Sequence, residues 1–393
     1  MKKKEVVIIS GARTAIGAFG GSLKDKEVTD LGAIVIEEAL KRAKVKKEDV
    51  DEVIMGCVGQ VAEDAFMARR CAIKAGLPVE TTAYTVNRLC SSGLQAIVNG
   101  MMAIETGDAE IVVAGGGESM NNLPYYIRKA RFGLRMGDSV LQDGLVTALS
   151  DPFSGVHMGI TAENVAEKYG ITREEQDKWA LRSQLLAAKA REEGAFTQEI
   201  VPIEVKRKKE TFIFDQDEYI RTDTSLEKLS KLRPAFKEGG TVTAGNASGI
   251  NDGAAAVVMM SAEKAEELGL NPQLRIVAHA VAGVDPSLMG TGPIPSTKKA
   301  LARAGMQIDD IDVIELNEAF ASQAIACIRE LKMDENKVNV HGGAIAMGHP
   351  IGGTGAILTV KLMYHMRKDA LRYGLETLCI GGGQGLTVIY ERV

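Results

Sequence analysis

A pattern that recurs 261 positions along the chain sets the architecture. Arg42-Ala43 is followed by Val50-Asp51 and an apolar run at Val53, and Arg303-Ala304 is followed by Ile311-Asp312 and an apolar run at Val313. About the same offset carries the glycine-rich helix start after Cys90 onto the one after His349. It also brings the run ending in Ala114-Gly115-Gly116-Gly117 close to the one ending in Gly381-Gly382-Gly383. In a chain of 393 residues this predicts two like halves, each needing roughly 120 residues to show the pattern. The intervening stretch is rich in charge, aromatics and methionine, as a region covering a substrate would be. The expected division is an N-terminal half at 1–120, completed by about 251–272, an inserted loop domain at 121–250 and a C-terminal half at 273–393.

Short β-branched runs alternate with longer helical patterns. Val6–Ile9, Val53–Met55, Ile111–Ala114, Val257–Met260, Val313–Leu316 and Leu386–Tyr390 read as strands. Leu31–Lys44, Gly93–Thr106, Ile160–Tyr169, Arg173–Glu193, Ser296–Ala304, Ala319–Leu331 and Gly353–Met366 read as helices. Several runs are apolar throughout, as sheets covered on both faces require, so the fold class is α/β.

Charge narrows the function. Forty-seven basic against 52 acidic residues give a net charge of −5, without the basic surplus of a nucleic-acid binder. The basic runs Lys2–Lys4 and Lys206–Lys209 read as solvated faces. No segment approaches the ~20 apolar residues of a membrane span. The apolar run Val6–Ile9 is too short for a signal peptide, and the C-terminus carries no targeting signal. A cytoplasmic location is the expectation. The five cysteines are odd in number, widely spaced and free of any C-x-x-C pair, which disfavours both a disulfide framework and a structural zinc site.

Four segments carry candidate chemistry. Cys90, in Asn87-Arg88-Leu89-Cys90-Ser91-Ser92-Gly93, stands just before small polar residues that open an amphipathic helix. Free amides at a helix start lower a thiol pKa and can bind an oxyanion, although a cysteine there also serves as a small hydrophobe. His349 lies in Gly342–Gly355, one histidine among six glycines and restricted by Pro350, where proton exchange near neutral pH is favoured over a plain loop role. Cys379 ends a strand and runs into Gly381-Gly382-Gly383, without the spacing of a dinucleotide fingerprint. Asn317, in Glu315-Leu316-Asn317-Glu318-Ala319, sits at a strand-to-helix junction, where it either caps the helix or orients a water or carbonyl.

In this order the motifs resemble the thiolase family. They are NRLCSSGLQA at 87–96, AGNASGINDGAAA at 244–256, NEAFA at 317–321, GGAIAMGHPIGGTG at 342–355 and CIGGGQG at 379–385, and the resemblance covers essentially the whole chain. It implies a five-layer αβαβα fold of two pseudo-repeated halves with an inserted loop domain, assembled as a homotetramer or, alternatively, a dimer. It implies that Cys90 is the acyl-accepting nucleophile, His349 its activator, and Cys379 the acid/base at the α-carbon. Asn317 would hold a water in one oxyanion hole, and the amides of Cys90 and Gly381 would form the other. Coenzyme A would lie against the insertion, touching Ser248 and Arg221, with Ala244, Phe236 and Ala319 lining its tunnel.

The family divides by chain length. His157 and Met158, before Ile160-Thr161-Ala162-Glu163, resemble the branch restricted to acetoacetyl-CoA, which condenses two acetyl-CoA reversibly into acetoacetyl-CoA and CoA. Coenzyme A thioesters are then the substrates, with no cofactor and no metal. The alternatives are a broad-chain degradative 3-ketoacyl-CoA thiolase and a non-catalytic acyl-CoA-binding scaffold. The intact set Cys90, Asn317, His349 and Cys379 speaks against the scaffold, and the CIGGG motif against a ketoacyl synthase.

Overall fold

The structure, a computed structural model, describes residues 4–60, 62–207 and 210–393. The first half contains β1 (Val6–Thr14), α1 (Val28–Ala43), β2 (Glu52–Gly56), α2 (Met67–Lys74), β3 (Thr82–Val86), α3 (Ser92–Thr106) and β4 (Ile111–Ser119). Between β4 and β5 (Asn251–Ser261) come α4 (Met158–Tyr169) and α5 (Arg173–Glu192). Then follow β6 (Leu274–Gly283), α6 (Pro293–Ala304), β7 (Val313–Leu316), α7 (Ala321–Leu331), α8 (Thr354–Lys368), β8 (Tyr373–Ile380) and β9 (Gln384–Arg392).

The strand order is β7-β8-β9-β6-β1-β5-β4-β2-β3. It contains the repeat twice. In β2-β4-β5-β1 the first pairing is parallel and the next two antiparallel. In β7-β8-β9-β6 the pairings follow the same sequence. The halves join where β1 meets β6, antiparallel, at Val7–Arg275 and Ile8–Leu274. β3 adds a parallel edge beyond β2, and its counterpart in the second half has shrunk to a single bridge, Ile314 to Val338.

Burial follows from the layers. β1, β4 and β5 are buried along their whole length, which is why they read as apolar runs rather than alternations. α1 and α2 cover one outer face, and α6 and α7 the other. α3 and α8 pack on each other and between strands of both halves, completing five layers. Both central helices are buried nearly all round at their N-terminal ends, as a helix with sheet on two sides must be.

Two strands escape the sequence reading. β3 (TAYTV) is a half-exposed edge, and β6 is only partly buried and carries Arg275 and His279, so neither has the continuous apolar run of a covered strand. The polar stretch Glu204–Asp223 also contains structure, the hairpin Ile203–Arg207 with Glu210–Phe214. Lys208 and Lys209 of the basic run, with Lys2 and Lys3 of the N-terminal one, lie outside the described residues.

The insertion is anchored by a buried charge cluster. Arg13 of β1, fully buried, donates to both carboxylate oxygens of Asp217 at 2.8 and 2.9 Å and from Nε to Glu199 at 2.8 Å. Asp217 also accepts from the amide of Ile16 at 2.8 Å.

The central helices meet backbone to backbone at their first turns. A Cβ on Gly93 would lie 2.9 Å from the amide nitrogen of Ala356, and one on Gly355 would lie 2.6 Å from the amide nitrogen of Leu94. Alanine is the better helix former by about 1 kcal/mol. Gly355→Ala should nevertheless destabilise the protein by roughly 1–3 kcal/mol, because the Leu94 backbone cannot give way. Chemical denaturation of the two proteins checks this, and an unchanged or raised midpoint contradicts the close-contact account.

Candidate functional site

The turn between β3 and α3 holds Cys90. Leu89 sits at φ 45°, a left-handed conformation that costs a non-glycine residue of order 1–3 kcal/mol. Local bonds hold it there. The Leu89 amide donates to Asn87 Oδ1 at 3.0 Å, and Ser92 Oγ donates to the Leu89 carbonyl at 2.6 Å while accepting from the Arg88 amide at 2.9 Å. Cys90 is thereby left partly exposed on a cavity wall. Burial pushes its thiol pKa up to about 11, against the pull of the amides of Gly381 and of Cys90 itself. The sequence expectation of a depressed pKa is therefore corrected. The helix starts two residues later, at Ser92, and desolvation outweighs its influence. The resting residue is a thiol that needs a base.

His349 follows a short helix, Ala344–Met347, and Gly348 at φ 111°, where any side chain would strike Asn251. Its amide donates to Asn251 Oδ1 at 2.9 Å. Its Nδ1 lies 2.6 Å from Thr354 Oγ1, and its Nε2 lies 3.5 Å from Asn317 Nδ2. Burial lowers its pKa to about 4, so the ring is neutral at pH 7. A neutral imidazole beside a neutral thiol is a base and an acid waiting for each other.

Asn317 leaves β7 and Cys379 ends the neighbouring β8. The Asn317 amide donates to the Thr377 carbonyl at 3.0 Å, and its Oδ1 is buried without a protein partner. Cys379 is fully buried, and burial first, then the nearby Cys90, holds its thiol pKa far above the ordinary value. Gly381 opens the turn into β9, and the missing side chain leaves room for Leu89 and the Met158 thioether.

A cavity of about 330 Å³ opens in front of Cys90 and His349. His157, Met158, Phe236, Ala244, Ser248 and Ala319 line it. His157 caps α4, accepting the Gly159 amide at 3.0 Å, and stacks on Phe236 with ring centroids 4.6 Å apart. Arg221 does not line the cavity. It stands exposed with its guanidinium 5.4 Å from the ring centre of Tyr219, which does. Asn317, Cys379 and Gly381 stand behind the lining rather than in it. A polar cleft of similar size, about 360 Å³, at Ser10, Arg42, Tyr364 and Arg367 has none of these residues.

Several residues of the site were not singled out from sequence. Leu149, Met120 and Met289 narrow the cavity. Glu118, fully buried, accepts the amides of Val58, Gly59 and Gly352 at 3.0, 2.9 and 2.9 Å, tying the exit of β2 to the histidine loop. Asn251 lies within the 244–256 motif, and Thr354 five positions after His349, so both were in view without a role. Among the described residues no group of three His, Cys, Asp or Glu side chains could hold a metal, and no helix is long and apolar enough to cross a membrane.

Comparison with known proteins gives matches along the whole chain. The family descriptions "Thiolase, N-terminal domain" and "Thiolase, C-terminal domain" match residues 6–263 and 270–392. An acetyl-CoA acetyltransferase of Syntrophomonas wolfei is 54% identical over 396 residues, covering 99% of each chain. The crystal structure of the Bacillus anthracis acetyl-CoA acetyltransferase matches with a TM-score of 0.98 and 47% identity, over 100% of this chain and 99% of that one. Human mitochondrial 3-ketoacyl-CoA thiolase in complex with CoA matches with a TM-score of 0.96 and 46% identity, over 99% and 98%.

The low pKa of His349 has a consequence for stability. Its folded value of about 4 lies below the unfolded value near 6.5, so the unfolded chain binds the proton first. The contribution is complete above pH 6.5 and is lost as pH falls toward 4. The melting temperature of His349→Gln should therefore fall less steeply over that range than that of the parent. Parallel slopes would contradict a buried neutral ring.

Proposed function

The chain belongs to the thiolase family, and from that premise we propose that it is an acetyl-CoA C-acetyltransferase, condensing two acetyl-CoA reversibly to acetoacetyl-CoA and CoA. The observation that carries the reading is the meeting of Cys90 and His349 on one narrow cavity, with the Gly381 amide directed at the Cys90 sulfur and Cys379 within electrostatic reach of it.

The reaction runs in two stages. The Cys90 proton passes to His349 Nε2, and the sulfur attacks the thioester carbonyl. As the bond to the CoA sulfur breaks, that sulfur takes the proton of Cys379, leaving acetyl-Cys90, a Cys379 thiolate and a protonated His349. The thiolate then removes an α-proton from a second acetyl-CoA. The resulting carbanion attacks the acetyl group, the bond to Cys90 breaks, and His349 returns its proton to Cys90. A very high thiol pKa makes Cys379 a strong base once ionised, as the weakly acidic α-carbon demands. The amides of Cys90 and Gly381 serve one carbonyl oxygen, and a water held between Asn317 and His349 serves the other.

Coenzyme A extends past Ser248, Ala244, Phe236 and Ala319 toward Arg221 at the mouth, as substrate and without a further cofactor. Leu149, Met158 and Met289 line the cavity beside Cys90, which supports a preference for short acyl chains. The rival is a broad-chain 3-ketoacyl-CoA thiolase, favoured by the match to the human mitochondrial protein. The same reading includes the division at 1–120, 121–250, about 251–272 and 273–393, a cytoplasmic location, and a homotetramer. Phe132 and Val140, 89% and 81% exposed on the loop after β4, support burial by further copies.

CoA-dependent thiolysis of 3-ketoacyl-CoA from four to sixteen carbons tests the substrate. Turnover confined to the four-carbon compound is expected, and comparable turnover of long chains selects the rival. Cys379→Ala should still take up acetyl on Cys90, more slowly because the leaving sulfur must take its proton from solvent, seen by mass spectrometry, while condensation falls by roughly 10²–10⁴-fold. Cys90→Ala should do neither, and residual turnover in it would remove the proposed nucleophile.

A further inference from the structure

A neutral imidazole carries its proton on one nitrogen, and only the other can act as a base. The hydrogen bonds of a neighbour bear on which nitrogen is free in His349. Thr354 Oγ1 lies 2.8 Å from the Pro350 carbonyl, which can only accept, so the single hydroxyl proton is committed there. The amides of Gly353 and Thr354 also donate to that carbonyl, both at 2.9 Å, and fix its position. The same Oγ1 stands 2.6 Å from His349 Nδ1 and, its proton spent, has only lone pairs to offer. Nδ1 must then carry the ring proton. Nε2, on the side of the Asn317 amide donor, keeps its lone pair.

The repeat provides an independent control. Ser92 opens α3 as Thr354 opens α8, 262 positions later. Its Oγ donates to the carbonyl of Leu89 in the preceding turn at 2.6 Å and accepts from the Arg88 backbone amide at 2.9 Å. A backbone amide can only donate, so the direction there is unambiguous. The same hydroxyl device recurs in the second half, with the imidazole N–H in place of the amide.

We propose that Thr354 is a positioning residue that locks His349 in the Nδ1-protonated tautomer, holding Nε2 open to take the Cys90 proton. This rests on the reading of His349 as the base for Cys90. Thr354 does not line the cavity in front of Cys90. It is 2% exposed and is fixed in the first turn of α8, so its oxygen cannot swing away.

The test reads the tautomer directly. In enzyme labelled with ¹⁵N-histidine, long-range ¹H–¹⁵N spectra at pH 7 distinguish the two ring nitrogens, and His349 among the five histidines is assigned by its loss in His349→Gln. The expected result is a protonated Nδ1 and a bare Nε2. In Thr354→Val, which keeps the shape and removes the acceptor, the proton should move to Nε2. The kcat of acetoacetyl-CoA thiolysis should then fall roughly 10–100-fold, as for other orienting partners of histidine, with KM unchanged. Thr354→Ser should restore both the tautomer and most of kcat. A bare Nδ1 in the parent enzyme overturns the proposal, as does a Thr354→Val enzyme with parental tautomer and kcat. If Thr354→Val does not fold, the parent and Thr354→Ser spectra decide the matter alone. The expected tautomer in an enzyme inert toward every 3-ketoacyl-CoA would reject the proposed activity and leave the tautomer assignment standing.

Discussion

The contact between the first turns of α3 and α8 is the constraint on which the rest depends. Cys90 precedes one helix and His349 the other, and each belongs to a different half of the repeat. Neither half holds both. They come together because Gly93 and Gly355 let two helix backbones touch where side chains would keep them apart. Close approach requires that both helices be sandwiched between strands, which in turn requires strands apolar on both faces. The glycines that look like loop material in the sequence are thus the packing surface of the molecular centre.

Desolvation sets the chemistry of that centre. It raises the thiols of Cys90 and Cys379 and lowers the imidazole, so that all three groups are neutral at rest. In the proposed reaction charge appears only when a proton moves between them, and it appears beside the backbone amides and the buried Asn317. Electrostatic stabilisation is strongest under such conditions, because no water has to reorganise. A permanently ionised Cys90 would interact with its surroundings before substrate arrived and would gain less in the transition state.

Much of this was legible in the sequence. The 261-residue offset foretold a doubled strand order, and the seven expected helices lie within a few residues of their bounds, while α2 was not read from sequence. β3 and β6 were not legible, because an edge strand and a seam strand lack the uniform burial that makes a strand look apolar. At the site, Cys90, His349 and the cavity residues from His157 to Ala319 are brought together as expected. The sign of the Cys90 shift was misjudged, since sequence shows the helix start and hides how little water reaches the sulfur. Thr354, Asn251 and Glu118 had no visible role because each acts through a partner far away in the chain or hidden by a turn. Arg221, expected against coenzyme A and not in the tunnel lining, stands exposed beside the cavity. Its charge sits outside, over Tyr219.

The anchoring of the insertion bears on how a long thioester reaches the sulfur. Tyr219 lines the cavity only two residues after Asp217, and Asp217 shares the buried Arg13 of β1 with Glu199. Lifting that part of the cavity wall would take Asp217 from Arg13 and leave Glu199 as its single carboxylate partner in the interior, at a cost of about 3 kcal/mol. The wall is therefore not a hinged gate that swings with each turnover. For the proposed substrate the acyl end then threads in first and the nucleotide end stays at the rim, past a wall held down from behind by the buried Arg13.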